Sequence, residues 1–195
     1  MAAGRPRAFD KDKALERAMH VFWQKGYEGA SLTDLTRAMG INPPSLYAAF
    51  GNKESLFRQA VDRYEAGPAS RSAKALAQPT ARRAAEALMN AAADLQVAKG
   101  RPRGCLVVQG ALACGDDADP LRIELAARRA ANVEMFRARL ERAQAEGDLP
   151  KDADPAALAR FVASIIYGMA VQATGGATRA ELQKIIDTAM RAWPS

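Results

Sequence analysis

No stretch of this sequence sustains the alternation of apolar and polar residues that a β-strand requires, and this limits the possible folds most strongly. Apolar residues instead recur every three or four positions, as on one face of a helix. Alanine, the strongest helix former, fills 44 of the 195 positions. We therefore predict an all-α chain with about nine helices.

Capping residues and glycines mark the ends of the N-terminal helices. Ser, Asp and Asn side chains satisfy the free N–H groups at a helix start, and glycine ends a helix by adopting a left-handed conformation. Four helices are predicted up to residue 65, the first three forming a helix-turn-helix domain. The expected caps are Asp10, Ser31, Asn42 and Asn52, and the expected stops are Gly26, Gly40 and Gly51.

A larger helical bundle is predicted over residues 66–195. The composition changes after Gly67-Pro68, because residues 66–104 carry seven basic and two acidic side chains. Long helices are expected from Thr80 to about Ala98, over 120–146, from Asp154-Pro155 to Gly175, and from Thr178 to just before Pro194. A short apolar segment, 105–114, lies between the first two of these.

The composition excludes several classes of protein. Two cysteines cannot build a disulfide framework, and with one histidine they leave too few N and S ligands for a structural zinc site. No residue pattern indicates a catalytic group, metal or cofactor. The charged first twenty residues lack the apolar core of a signal peptide, so we expect a cytoplasmic location. The uncharged stretch 161–178 contains polar residues and glycines, which indicates a buried helix and its end and not a membrane span.

Residues 31–50 have the pattern of a helix-turn-helix, in which the second helix enters the major groove of DNA. The helical spacing turns one set of side chains inward against the first helix: Leu32, Leu35, Met39, Ile41, Leu46 and Phe50. The set left facing outward is suited to phosphate oxygens and base edges: Thr33, Asn42, Pro43, Ser45 and Tyr47.

Three basic residues extend this candidate surface. Lys53 lies in the first turn of the fourth helix, where the helix N-terminus and the ammonium group can share one phosphate. Arg5 and Arg7 lie on an arm ahead of the domain, where they would add salt-dependent affinity along a groove. The net charge of +6 is modest, so a binding surface would depend on where these charges lie.

Residues 9–57 resemble the DNA-binding domain of the TetR family of bacterial transcriptional regulators. The most specific segment is Leu46-Tyr47-x-x-Phe50-x-x-Lys53-x-x-Leu56. Further matches are Phe9-Asp10, Gly26-Tyr27 and the run from Ser31 to Ile41. The segment 103–108 is similar to a motif found in a subset of these regulators.

This resemblance implies roles for individual residues. Thr33 would contact backbone or base, Pro43, Pro44 and Ser45 would lie in the recognition helix, and Tyr47 and Lys53 would bind phosphate. A second proline departs from the family's usual pattern, so base readout would depend more on apolar contact. The family architecture further implies a DNA-binding domain over 1–65 and an effector-binding and dimerisation domain over 66–195.

A homodimer is also predicted from the last two helices. The helix over 155–174 is apolar nearly all round, so one core cannot cover it. Two copies of this helix pair would form a four-helix interface and match a palindromic operator. The residues predicted for the interface are Leu158, Phe161, Ile165, Ile166, Leu182, Ile185, Ile186 and Met190.

An effector cavity in the larger domain is predicted from apolar helix faces. The expected lining residues are Leu88, Leu95, Val108, Phe136, Ile165 and Met169. Arg129 lies close to the apolar stripe of the 120–146 helix, so it would meet an anionic effector, lie at the edge of the surface, or join a structural salt bridge.

Several alternatives remain at this point. A helical enzyme, a non-specific nucleoid protein and an activator in place of a ligand-released repressor all fit parts of the pattern. On one continuous helix Cys105 and Cys114 would lie about 13.5 Å apart, so a disulfide between them requires a break, as at Gly110. Phe22, Trp23 and His20 are expected to pack in the protein and not to bind a base or a ligand.

Overall fold

The computed structural model describes residues 9–68, 70, 72–112 and 119–194, and this part of the chain is all-α, with ten helices. In chain order they are α1 (Lys11–Gly29), α2 (Leu32–Met39), α3 (Pro43–Phe50), α4 (Lys53–Ala66), α5 (Ser72–Leu76), α6 (Ala81–Gln96), α7 (Leu106–Gln109), α8 (Asp119–Ala145), α9 (Pro155–Thr174) and α10 (Arg179–Arg191).

The predicted helix starts are confirmed by capping hydrogen bonds. The side chain of each of these residues accepts a backbone N–H of its own helix: Asp10, Ser31, Asn42, Asn52, Thr80, Asp154 and Thr178. The short helix α5 was not predicted. In α1 the helical backbone is interrupted at Gly26 (φ 71°, ψ 178°), where the sequence predicted its end.

The first of two hydrophobic clusters joins α1–α4 to α7 and the start of α8. Its largest buried side chains include Phe22, Phe57 and Tyr64, and their rings pack edge to face with neighbouring aromatic rings. Leu121 and Leu125 of α8 complete this cluster. The N-terminal helices therefore share a core with residues far along the chain.

The second cluster joins α6, the C-terminal half of α8, α9 and α10. Its buried residues include Met89, Leu140, Met169 and Ile186. Since α8 has 27 residues, it spans about 40 Å and contributes to both clusters. This single helix connects the two halves of the core.

Arg139 of α8 is a buried cation that binds the backbone at the end of α5 and just after it. Arg139 is only 7% exposed and donates hydrogen bonds to the carbonyl oxygens of Leu76 (3.1 Å), Gln78 (3.0 Å) and Pro79 (3.4 Å). These bonds hold the segment between α5 and α6 against α8.

Among the described helices, α9 alone is long and apolar enough to cross a membrane by length and composition, a test that core helices of soluble proteins also pass. It packs against α6, α8 and α10. Even so, only 28% of its most apolar window is buried within this chain. Much of its apolar surface therefore lies open in a single subunit.

Candidate nucleic-acid interface and ligand cavity

A capping box fixes the start of α2. The Ser31 Oγ accepts the backbone N–H of Asp34 at 3.0 Å, and the Asp34 carboxylate accepts the N–H of Ser31 at 3.2 Å. At the other end Gly40 adopts the left-handed conformation (φ 70°) that closes the helix. These two ends set the length of the turn before α3.

An ion pair then ties α2 to α1. The Lys25 Nζ lies 2.9 Å from Asp34 Oδ2. The hydrogen bond from Lys25, together with those from Ser31, lowers the pKa of the Asp34 carboxyl to about 2. One carboxylate thus caps α2 and anchors it to α1.

The third helix begins on the exposed side of the motif. Asn42 Oδ1 accepts the Ser45 N–H at 2.9 Å, and two prolines occupy the first helical positions, where no backbone donor is needed. Pro43, Pro44 and Tyr47 are exposed, whereas Leu46 is fully buried. The start of α3 therefore presents a surface, and its other face anchors it.

Most of the predicted inward set lies in the core, with one correction. The buried members are Leu35, Met39, Leu46 and Phe50, and Ile41 is half-buried against the same cluster. Leu32 is 37% exposed, so the expectation that it holds α2 against α1 is wrong. It is the first residue of α2, one position after the cap.

Lys53 lies beside the motif at the start of α4. Its Nζ lies 4.4 Å from the centre of the Tyr27 ring, a cation–π contact that orients the ammonium group. Tyr27 itself packs against Phe22 and Phe57.

Of the other residues predicted to bind DNA, Thr33 is exposed on α2. Arg5 and Arg7 lie outside the described residues.

Aromatic residues of α1 form core and not a stacking surface. Phe22 and Trp23 are 0% and 3% exposed. His20 is half-buried beside Trp23, and burial lowers the pKa of its imidazole, an effect that Glu16 opposes. These findings confirm the packing roles expected from the sequence.

A cavity of about 420 Å³ opens between α6, α8, α9 and the start of α7. This volume lies within the range of about 300–1,000 Å³ that small-molecule sites occupy. Five of the seven residues predicted for an effector site line it: Leu88, Leu95, Val108, Arg129 and Phe136. Two predictions need correction, since Met169 is buried in the second cluster and Ile165 packs beside it without lining the cavity, whereas the next residue, Ile166, does.

Arg129 joins the cavity wall to the backbone of α7. It is half-buried, and its Nη1 donates to the carbonyl oxygen of Val107 at 2.7 Å. The Tyr167 hydroxyl donates to the backbone carbonyl of Arg129 at 3.3 Å. Arg129 is therefore held at the cavity wall by a backbone carbonyl, and no salt bridge to it occurs among the described residues.

Cys105 also lines the cavity, and its sulfur accepts a hydrogen bond from the Tyr64 hydroxyl at 3.4 Å. Burial raises the pKa of the Tyr64 phenol, and the neighbouring thiol adds to this shift. The continuous helix considered for Cys105 and Cys114 is not present, because α7 ends at Gln109. Cys114 lies outside the described residues.

Only some of the residues predicted for the dimer interface are accessible at the surface of this chain. Leu182 and Ile186 are fully buried and Met190 is 6% exposed within this subunit, so these three α10 residues cannot form the contact between subunits. Leu158, Phe161, Ile165 and Ile185 are half-buried beside the second cluster, and Ile166 faces the cavity. Next to them α9 exposes a strip of mostly small residues that includes one charged side chain: Ala157, Arg160, Ser164, Gly168 and Val171.

Two features were missed in the sequence. A backbone hydrogen bond joins Tyr27 N–H to the Gly110 carbonyl at 2.7 Å, and no residue pattern signals it. Gln96 is 2% exposed and lines the cavity. Its position at the end of the amphipathic helix α6 was the sequence signal that could have indicated its burial.

No group of His, Cys, Asp and Glu that could hold a metal ion occurs among the described residues.

Two family models match this chain. The model for bacterial regulatory proteins of the tetR family matches residues 14–60, and the model for the tetracyclin repressor-like C-terminal domain matches residues 81–192. The HTH-type transcriptional repressor ComR of Escherichia coli (strain K12) is 38% identical over 193 residues, which cover 98% of this chain and 92% of ComR. The repressor BdcR of the same strain is 38% identical over 109 residues, 55% of each chain.

Solved structures agree with these matches. A cysteine mutant of the TetR family regulator CifR, complexed with 26-base-pair operator DNA, superposes with a TM-score of 0.94. The two sequences are 45% identical, and the match covers 98% of this chain and 100% of the CifR chain. A TetR regulator from Rhodococcus sp. RHA1 is 41% identical, with a TM-score of 0.64 and coverage of 93% and 97%.

Proposed function

This chain belongs to the TetR family of bacterial regulatory proteins, and from that membership we propose that it is a homodimeric transcriptional repressor that leaves its operator when a small molecule binds it. Its relatives ComR and BdcR are repressors, and CifR binds operator DNA. We assign DNA binding to residues 1–65, and effector binding and dimerisation to residues 66–195. The protein acts in the cytoplasm and is not an enzyme.

The observation that carries this proposal is the exposed start of α3, together with the ammonium group of Lys53 that the Tyr27 ring orients at the start of α4. In our proposal α3 enters the major groove, where Pro43 and Pro44 give apolar contact and Ser45 hydrogen-bonds base edges. Tyr47 and Lys53 bind phosphates. Asn42 and Thr33 contribute at the groove edge, and Arg5 and Arg7 add contacts along the DNA.

Dimerisation is proposed through the exposed strip of α9 with the half-buried Phe161 and Ile165. Small residues such as Ser164 and Gly168 permit two α9 helices to approach closely. A two-fold axis at this strip would place two copies of α3 on successive major grooves, which a palindromic operator matches.

The cavity is proposed as the effector site because its wall touches the elements that support the DNA-binding helices. Val107 and Val108 line it, and Gly110 in the same segment accepts the hydrogen bond from Tyr27 at the end of α1. A ligand that shifts α7 would therefore shift α1 relative to α8. Such a shift changes the spacing of the two α3 helices and lowers the population that fits DNA.

Fluorescence anisotropy on DNA from upstream of the protein's own gene tests this proposal. At physiological salt, we expect tight binding that survives excess random DNA, and release when the matching effector is added. Binding that random DNA removes would favour a non-specific nucleoid protein instead. Increased transcription of the downstream gene in the presence of the protein would indicate an activator.

A further inference from the structure

Among the polar side chains that line the cavity, Gln96 has a buried acceptor without a donor, and Arg129 has a charge without a carboxylate partner, within the described part of the chain. Most of the cavity wall is apolar and comes from α6, α8 and α9. In such a site a few placed polar groups fix the orientation and chemistry of the ligand. We infer the chemistry of the ligand from Gln96 and Arg129.

Gln96 presents a buried acceptor. Its Nε2 donates to the carbonyl oxygen of Ile166 at 3.0 Å, which fixes the orientation of the amide because only the nitrogen can donate to a carbonyl. The Oε1 atom is buried and accepts no hydrogen bond from any described residue. A buried acceptor without a donor is unfavourable, so a ligand that supplies a donor gains affinity here.

Arg129 supplies a positive charge that no described carboxylate neutralises. Its one hydrogen bond within the described chain goes to the Val107 carbonyl, a neutral group. The neighbouring Arg128 differs, since it binds Asp62, Glu65 and Glu124. Glu65 lines the cavity, but its carboxylate forms an ion pair with Arg128.

Both residues line the same cavity and contact one turn of α9. The Gln96 amide donates to the backbone of Ile166, and the backbone carbonyl of Arg129 accepts the hydroxyl of the next residue, Tyr167. Because both residues belong to the wall of one cavity, one ligand that fills the cavity can contact both.

We propose that the effector is a small, largely apolar carboxylic acid that also carries a hydroxyl or N–H donor, with its carboxylate on Arg129 and its donor on Gln96 Oε1. This inference rests on the proposed function, because it names the ligand class of the proposed effector cavity. The guanidinium–carboxylate pair is charge-assisted and gains strength in a partly dry site.

Isothermal titration calorimetry with the full-length protein tests the ligand class. The probes are hydroxy acids on a linear octyl, a phenylpropyl and a naphthylmethyl skeleton, each compared with its methyl ester and with the same acid lacking the hydroxyl. On the skeleton that fits, we expect the hydroxy acid to bind about tenfold or more tightly than either comparison compound. An ester that binds as tightly as its acid, or no binding by any acid, overturns the inference.

Two variants assign each preference to its residue. Arg129→Met should remove the preference for acid over ester, and Gln96→Met the preference for the hydroxyl. Arg137→Met, whose partners Glu134 and Glu141 lie on α8 itself, and Gln24→Met on the exposed side of α1 are the matched controls. Unchanged preferences in both cavity variants would contradict the assignment. The comparison of ligands on the unaltered protein stands even if a variant fails to fold.

DNA anisotropy with the same compounds separates this inference from the proposed function. Neutral compounds that bind the cavity and release DNA would overturn the acid class and leave the function intact. Acids that bind with the expected preferences without releasing DNA would support the ligand class and contradict effector-driven release.

Discussion

At the residue scale, a few side chains set both the start of each short helix and the surface beside it. Asn42 accepts the Ser45 N–H with its amide oxygen, which leaves its two amide N–H groups and the second lone pair of that oxygen for DNA. Lys53 rests on the Tyr27 ring and starts α4. Surface residues of this kind are held in place by the local structure before any DNA is bound.

Replacing the proposed phosphate-binding residues should weaken DNA binding regardless of sequence. Lys53→Ala removes a charged contact, so the slope of log K against log salt should fall by about 0.9 per contact, whereas Tyr47→Phe removes a neutral hydrogen bond and should weaken binding without changing the slope. Anisotropy titrations at several salt concentrations measure this slope. Lys151→Ala, in an exposed loop of the larger domain, should leave it unchanged. Full specific affinity in both test variants would refute the assignment.

The low pKa of Asp34 predicts an acid-sensitive link between α1 and α2. A carboxyl whose pKa falls from 3.8 to about 2 on folding stabilises the folded state above pH 3.8, and this stabilisation is lost as pH falls toward 2. Asp34→Asn should therefore lower the urea midpoint at pH 7, and the difference from the unaltered protein should shrink below pH 4. Asp152→Asn, on an exposed loop, is the control. A difference that does not vary with pH would contradict the expectation.

At the scale of elements, the segment 103–109 is hydrogen-bonded to the end of α9. Arg103 donates to the carbonyl oxygens of Ala173 (2.7 Å) and Ala177. Gln109 accepts the Cys105 N–H at 3.2 Å and donates to the Thr174 hydroxyl at 3.3 Å. The motif that the sequence singled out around Cys105 is thus a connection between α7 and α9.

Gly104 leaves no room for a side chain in this connection. Its φ is +85°, and a Cβ atom would lie 2.3 Å from the Gln109 Oε1 and 2.8 Å from the Thr174 Cγ2. Gly104→Ala should therefore cost more than the roughly 1 kcal/mol expected for a positive φ alone. Gly100→Ala has a similar φ of +76° with nothing within 4 Å, which makes it the matched control. Equal losses of unfolding free energy in the two variants would contradict the steric explanation.

The helix pair α9–α10 shows how periodicity can assign a face to the wrong partner. Leu182, Ile186 and Met190 lie on the apolar stripe of α10, which the sequence assigned to a second subunit. They pack instead against α6 and α9 of their own chain. A stripe indicates that a face is covered, but spacing carries no information about which surface covers it.

At the scale of the whole molecule, ion pairs between α4 and α8 connect the two halves. Arg128 of α8 binds Asp62 (2.7 Å) and Glu65 of α4, and Arg58 of α4 binds Glu124 of α8 at 2.7 Å. Burial alone would lower the pKa of the Arg128 guanidinium, but its carboxylate partners raise it above its usual range. We therefore expect a movement of α8 near the cavity to reach α4 through these ion pairs.

Removing this connection should uncouple the effector from DNA. We expect Arg128→Met to need several-fold more bound effector for release of DNA, because coupling between sites is a free energy carried by such contacts. The variant also leaves the Glu65 carboxylate unpaired at the cavity, so an acidic effector should bind it more weakly, and release is compared at equal occupancy of the cavity. Paired calorimetry and anisotropy measure the two steps. Arg137→Met breaks pairs within α8 only and should behave as the unaltered protein. Identical release in Arg128→Met would show that the coupling runs elsewhere.

The exposed strip of α9 predicts the site of dimerisation. Gly168 is exposed, and a Cβ atom there would meet nothing within 4 Å in one subunit. Gly168→Arg should place a bulky charge between two α9 helices and convert the dimer to a monomer in light scattering after gel filtration. Ala77→Arg, exposed beyond α5, is the control. A Gly168→Arg variant that remains dimeric would exclude this strip.

The sequence by itself determined the longer helices, most of their caps and the exposed start of α3. These features depend on neighbouring residues: Ser31 and Asp34 meet within one turn, and the helical spacing from Leu35 to Phe50 fixes which sides face inward. The same spacing along α8 brought Arg129 to the cavity wall.

Only the tertiary structure decided which faces meet. It assigned the apolar stripe of α10 to its own subunit, put Ile166 in place of Ile165 at the cavity, and joined Tyr27 to Gly110 across 83 positions of sequence. Contacts between distant segments depend on the summed packing of the whole chain, because many surfaces of similar hydrophobicity compete to cover the same face. Periodicity in the sequence cannot rank these competing surfaces.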